Sequence, residues 1–180
     1  MRNSIALAIF AAVLSVSAPV RAAQSWGLPG EEIVRFDAKV VDVLCELTGN
    51  CSANCGGGKR QLGLLKDDGT LILPIKNRIP FAGAVEELID FCARRVTADG
   101  LMVTNRGYTI FALQFVRAAP NGKWRGATRF QSKWAARNGV AADSATAKQW
   151  FRNDPRVKAL ISRQGRLGLG PAADREFLGE

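Results

Sequence analysis

From Ile33 to Leu44 apolar and polar side chains alternate, with β-branched residues at several positions, and this period of two predicts a long, half-buried strand. Gln61 to Leu65 predicts a second strand, Asp67-Asp68-Gly69 a tight turn, and Thr70 to Ile75 a third strand completing a hairpin. The period then changes. Between Phe81 and Arg95 the apolar residues Val85, Leu88, Ile89 and Cys92 recur at helical spacing with Glu86, Glu87 and Asp90 between them, which predicts a short amphipathic helix. Val96 to Thr104 and Tyr108 to Arg117 read as two more strands joined through Asn105-Arg106-Gly107. Three strands, a helix and two strands is the element order of the OB-fold, a five-stranded Greek-key barrel. The pattern therefore predicts an all-β core over residues 23–117, an OB-fold-like barrel with one helix between strands 3 and 4.

Residues 118–180 differ in character. After the turn-rich Ala118-Ala119-Pro120-Asn121-Gly122, Ser144 to Arg163 predicts a helix capped by Ser144 and broken at Asp154-Pro155, so that its second piece opens on a proline. Val157, Leu160 and Ile161 form a narrow apolar stripe on that piece. Trp124, Phe130, Trp134, Trp150 and Phe151 supply most of the remaining aromatics, and two readings stand: they pack the extension onto the barrel, or they belong to an arm that docks a partner.

Charge sharpens the division. Residues 23–116 carry 10 basic and 11 acidic side chains, whereas residues 117–180 carry 13 basic and 5 acidic. A near-neutral body with a basic helical extension points to an acidic partner, either a protein or an anionic membrane surface. A solvated basic face is the plainer alternative.

The N-terminus has the form of an export signal. Arg2 precedes an apolar run from Ile5 to Val16, and Val20-Arg21-Ala22 is a small-x-small cleavage site, so residues 1–22 are expected to be removed after Ala22. The run is shorter than the roughly 20 apolar residues of a spanning helix. No twin-arginine pair is present, so Sec-type export to the periplasm is expected, which makes a nucleic-acid partner unfavourable despite the basic balance.

Four cysteines then meet an oxidising compartment. Cys45, Cys51 and Cys55 crowd the loop between the first two strands, Cys92 lies in the predicted helix, and four cysteines allow three connectivities. Histidine is absent from the chain. This removes the commonest general base and metal ligand, and with them Ser-His and Cys-His catalytic pairs. The acidic pairs Asp67-Asp68 and Glu86-Glu87 fit a turn and a helix surface better than an acid and a base.

On these residues the chain resembles small exported bacterial proteins of OB-like type, in which a strand ending Val-Val-Asp-Val-x-Cys leads to a C-x3-C element, a glycine-rich run, Gly-(Leu/Ile)-Leu and an Asp-Gly turn. The matching residues are Val40 to Cys45, Cys51 and Cys55, Gly63-Leu64-Leu65 and Asp68-Gly69, within a likeness spanning Ile33 to Val116. Many of those relatives carry a histidine ahead of C-x3-C, where this chain has Gly49-Asn50. The resemblance bears on fold and compartment more than on function, since the family has no settled activity.

The reading that follows is an exported, non-catalytic binding or accessory protein without a cofactor. Disulfides among Cys45, Cys51, Cys55 and Cys92 stabilise the barrel, and Lys59, Arg60, Arg152, Arg156 and Arg163 contact an acidic periplasmic protein, such as a redox enzyme or assembly factor. Two alternatives use the same sulfurs. Cys51 and Cys55, with Cys45, are candidate thiolate ligands for copper, and Cys51 with Cys55 is a candidate thiol-disulfide exchange pair.

Overall fold

A computed structural model describes residues 22–77 and 79–179; the expected leader, apart from Ala22, lies outside the described residues. The strands are β1 (Glu31–Asp42), β2 (Leu62–Leu65), β3 (Leu71–Ile72), β4 (Pro74–Lys76), β5 (Ile79–Gly83), β6 (Arg95–Asn105), β7 (Tyr108–Ala118) and β8 (Arg125–Gly126). They form one mostly antiparallel sheet in the order β3-β2-β1-β6-β7-β4-β5, with β8 beside β7.

β1 is the hub, pairing with β6 over residues 31–39 and with β2 over residues 39–42. Its alternation is realised: Phe36, Ala38 and Val40 turn to the core while Arg35, Asp37 and Lys39 stay exposed. The strand stops two residues short of the predicted end. Asp42 accepts from the backbone N–H groups of Leu44 (3.0 Å) and Cys45 (3.4 Å), and this cap starts α1 (Val43–Thr48).

The predicted hairpin forms. Lys66 N–H donates to Thr70 O and Gly69 N–H to Lys66 O, with Gly69 at φ 83°. The third strand is not continuous, because Leu73 turns outward (52 % exposed) and Pro74 has no N–H to donate. β3 therefore pairs antiparallel with β2, while β4 pairs in parallel with β7. The hydrogen-bonded path ends at β3 and at β5, so the sheet is open where the sequence predicts a closed five-stranded barrel.

The predicted helix over Phe81 to Arg95 is also revised. Residues through Gly83 extend as β5, as Pro80 disfavours helix before it, and the helix contracts to α2 (Val85–Leu88) and a single 3-10 turn at Ile89–Phe91. Cys92 is extended and Ala93 is left-handed at φ 59°, which returns the chain to β6.

Ala38, Val40, Leu62, Leu64, Leu88, Val96, Ala98, Phe111, Leu113 and Val116 form the main core. Gly100 sits at a register shift between β6 and β7, where an added Cβ would lie 2.2 Å from Ala112 O and 2.9 Å from the Phe111 ring.

The extension carries α3 (Arg129–Arg137), α4 (Ala145–Lys148), α5 (Trp150–Asn153), α6 (Pro155–Gln164) and α7 (Pro171–Leu178). Ser144 caps α4 and Pro155 opens α6, as the sequence predicts. Trp134, Ala135 and Ala147 make a second small core with Phe130, Val140 and Trp150 against it. Among the described residues no helix is long and apolar enough to cross a membrane.

Candidate functional site

The cysteine loop is a cross-linked scaffold. Cys45 bonds Cys51, six residues on, and Cys55 bonds Cys92, across 37 residues. Cys55 is buried within a left-handed run, Asn54 and Cys55 at φ 50°, then Gly56 at 74° and Gly57 at 59°. A left-handed non-glycine residue costs about 1–2 kcal/mol, offset here by the bond to Cys92 and by burial. At Gly56 the missing side chain makes room for Arg60, since a Cβ would meet Arg60 Cγ at 2.6 Å.

Arg60 turns back on its own loop, donating to Asp42 Oδ2 (3.0 Å), Asn50 O (2.6 Å) and Asn50 Oδ1 (3.1 Å). Burial works to raise the Asp42 carboxyl, but Arg60 and the N–H groups of Cys45 and Leu44 outweigh it and hold it below the ordinary range. Arg60, a predicted partner contact, is therefore a brace of the loop. Lys59 stays exposed.

The sulfur chemistry is narrowed by these bonds. Cys51 and Cys55 have different partners, so they do not form an exchange couple with each other. All four sulfurs are in disulfides, and a soft metal needs thiolates. Among the described residues no group of three or more His, Cys, Asp and Glu could hold a metal. Cys45, Cys51 and Cys55 in this oxidised form do not fit copper.

A buried ion pair latches the extension to the sheet. Lys76 on β4 donates to Glu87 Oε1 on α2 at 2.9 Å, with both side chains under a tenth exposed. Glu87 Oε2 accepts from Arg129 N–H at 3.1 Å, and the Lys76 ammonium lies 4.6 Å from the Phe130 ring centroid. Thr128 makes no side-chain cap, so α3 is started by a carboxylate 42 residues away. Around this pair Arg125 and Arg129 bond Asp90, and Lys133 bonds Glu86. The acidic face of α2 is thus neutralised by the first part of the basic extension.

Beside the latch is a cavity of about 300 Å³ lined by Lys76, Asn77, Thr128, Gln131, Lys148 and Trp150, among others. The Trp150 indole N–H is buried without an acceptor. The lining includes the side-chain donors Lys76, Gln131 and Lys148.

The predicted aromatics divide between the two readings made from sequence. Trp134 donates to Asp154 Oδ2 (2.8 Å) and Phe130 packs on Trp150, their ring centroids 4.5 Å apart, while Arg35 and Arg117 both stack on Trp124. Those four are structural, and Phe151 is exposed.

The remaining surface of the extension is basic and partly apolar. Residues 137–179 contain Arg137, Lys148, Arg152, Arg156, Lys158, Arg163, Arg166 and Arg175, all exposed. Two of the acids there are buried in capping roles: Asp154 accepts from Arg156 N–H at the start of α6, and Asp174 accepts from the N–H groups of Leu167 and Leu169. Only Asp143 and Glu176 stay exposed among the described acids. The predicted stripe of Val157, Leu160 and Ile161 on α6 is exposed, as are Leu167, Leu169 and Phe177 beyond it.

Of the predicted contacts on this arm, Arg152 and Arg163 are exposed and have no carboxylate partner among the described residues. Arg156 pairs with Asp154. Lys158, not singled out by sequence reasoning, flanks the stripe from the other side, a position its i+1 spacing from Val157 would have revealed. No family model, curated protein or solved structure matches this chain.

Proposed function

We propose that this is an exported, non-catalytic accessory protein whose open sheet has OB-type connectivity and whose C-terminal arm, α6 and α7, docks an acidic protein in the periplasm. The OB-type reading is supported by β1 pairing with both β2 and β6, by the β6-β7 hairpin and by the parallel β4-β7 contact, since β3 and β4 are one strand interrupted at Leu73. The disulfides hold the base rigid, and the latch at Glu87 fixes the extension to it.

The observation that carries the docking reading is the arm's composition of surface: an exposed apolar stripe near Arg152, Lys158 and Arg163, none of which has a carboxylate partner among the described residues, with Asp154 and Asp174 turned inward as caps. An apolar centre with a charged rim is how a protein interface is built. A stripe of three residues is narrow for insertion into lipid, which favours a wide apolar face.

The test is site-specific photo-crosslinking in the periplasm from Leu160, with Tyr108 on the distant β6-β7 hairpin as control. A discrete adduct with one acidic exported protein, formed from Leu160 and not from Tyr108, is expected. Cross-linking to lipid alone, or flotation of the purified protein with phosphatidylglycerol vesicles, would replace the protein partner by a membrane surface.

A further inference from the structure

The expected leader junction falls between an exposed residue and a buried one. Ala22 is exposed, whereas Ala23 is 6 % exposed and its backbone nitrogen donates to Asp99 Oδ1 at 3.0 Å. Asp99 lies on β6 and is 1 % exposed; its other oxygen accepts from Arg35 Nε on β1 at 2.8 Å. The next residues are seated as well. Gln24 N–H donates to Gln114 Oε1 (2.9 Å), and Gln114 Nε2 donates back to Gln24 O (2.7 Å). Trp26 N–H donates to the Glu31 carboxylate and its indole N–H to Asn77 Oδ1. Side chains from β1, β6 and β7 thus receive Ala23, Gln24 and Trp26, whereas Ala22 is exposed.

We propose that the Ala22–Ala23 bond is the processing site, and that the α-ammonium released there is a buried structural cation paired with Asp99. The step is hydrolysis by a membrane-bound signal peptidase. Water adds its oxygen to the Ala22 carbonyl carbon and the C–N bond breaks. The Ala23 nitrogen leaves with the electron pair and gains protons, giving an Ala22 carboxylate on the leader and an ammonium on the mature chain.

The nitrogen that donates one neutral amide hydrogen bond before cleavage becomes charged afterwards, opposite a carboxylate already in place. A charge-assisted bond of this kind is roughly twice as strong as a neutral one. The geometry also discriminates between cuts. Cleavage one residue earlier places an extra residue between the charge and Asp99, and cleavage one residue later leaves Asp99 Oδ1 buried without Ala23.

The full chain, exported and purified from the periplasm, tests this by intact mass, N-terminal sequencing and α-amine acylation at neutral pH. The mature chain is expected to begin at Ala23, with its α-amine acylated at least tenfold more slowly in the native protein than in urea. A mature chain extended by Gly-Ser ahead of Ala23 should melt about 5 °C lower. Asp99→Asn should abolish the difference between the extended and authentic chains; if that variant does not fold, the acylation and extension comparisons decide alone. A different N-terminus, acylation at the unfolded rate, or equal melting of the two chains would overturn the proposal.

Discussion

Removing the two disulfides separately should have unequal consequences. In the loop-entropy account the stabilisation grows with the logarithm of the residues enclosed, so the 37-residue separation of Cys55 and Cys92 gives about 3.8 kcal/mol at 25 °C. The six-residue separation of Cys45 and Cys51 gives about 2.2 kcal/mol on the same account. Burial adds to the contrast, since Cys55 belongs to the main core while Cys51 is exposed. Relief of the left-handed backbone at Asn54 and Cys55 acts in the opposite direction, by about 1–2 kcal/mol per residue at most. Urea unfolding of Cys55→Ser/Cys92→Ser and of Cys45→Ser/Cys51→Ser, with linear extrapolation to water, measures both losses. The first variant should lose more and should show the larger m-value, because its unfolded chain is released from the larger loop. A greater loss from the short loop, or less than about 1 kcal/mol from the long one, would refute the assignment of Cys55–Cys92 as the principal staple.

Three further outcomes are expected. Glu87→Gln leaves the Lys76 ammonium buried without its carboxylate and should cost about 3–5 kcal/mol, read by thermal melting and by new protease cleavage between β7 and α3. At Asp90, burial works to raise the carboxyl but Arg125 and Arg129 outweigh it and lower it, so its contribution is complete above the unfolded value of about 3.9 and is lost as pH falls through the lowered one. Tryptophan fluorescence followed down an acid titration should show loosening below about pH 4 in the parent, at a different pH or with smaller amplitude in Asp90→Asn. Gly165→Ala should unseat the turn between α6 and α7, where Gly165 has φ 79° and a Cβ would lie 2.0 Å from Asp174 Oδ2, and should weaken docking while leaving the melting temperature within a few degrees.

β1 was legible because it buries one face from Arg35 to Val40, and its alternation there is a direct record of that; β6 is buried at consecutive positions from Val96 to Leu101, so its alternation marks a strand but not an exposed face. Caps made by adjacent residues were equally legible, as at Ser144 and at Asp154-Pro155. α3 escaped because its start is set by Glu87, far away in sequence, and no local capping residue announces it. The predicted helix over Phe81 to Arg95 was overextended because its apolar spacing is shared by a strand, a short helix and a 3-10 turn in succession. Of the candidate site, the cysteines and the basic arm could be read directly. Their pairing could not, since four cysteines allow three connectivities and only the fold brings Cys55 to Cys92. Charge type likewise suggested Arg60 and Arg156 as contacts, whereas Asp42 and Asp154 engage them within the fold.

The docking claim is tested most directly by the affinity of the Leu160-crosslinked partner as a function of ionic strength, for the parent and for Arg152→Gln/Lys158→Gln/Arg163→Gln. These three cations lie outside the caps and latches, so the variant should melt with the parent. The account predicts at least tenfold weaker binding by the variant at low salt, with a shallower salt dependence than the parent shows. Equal affinity and equal salt dependence for the two proteins would contradict it.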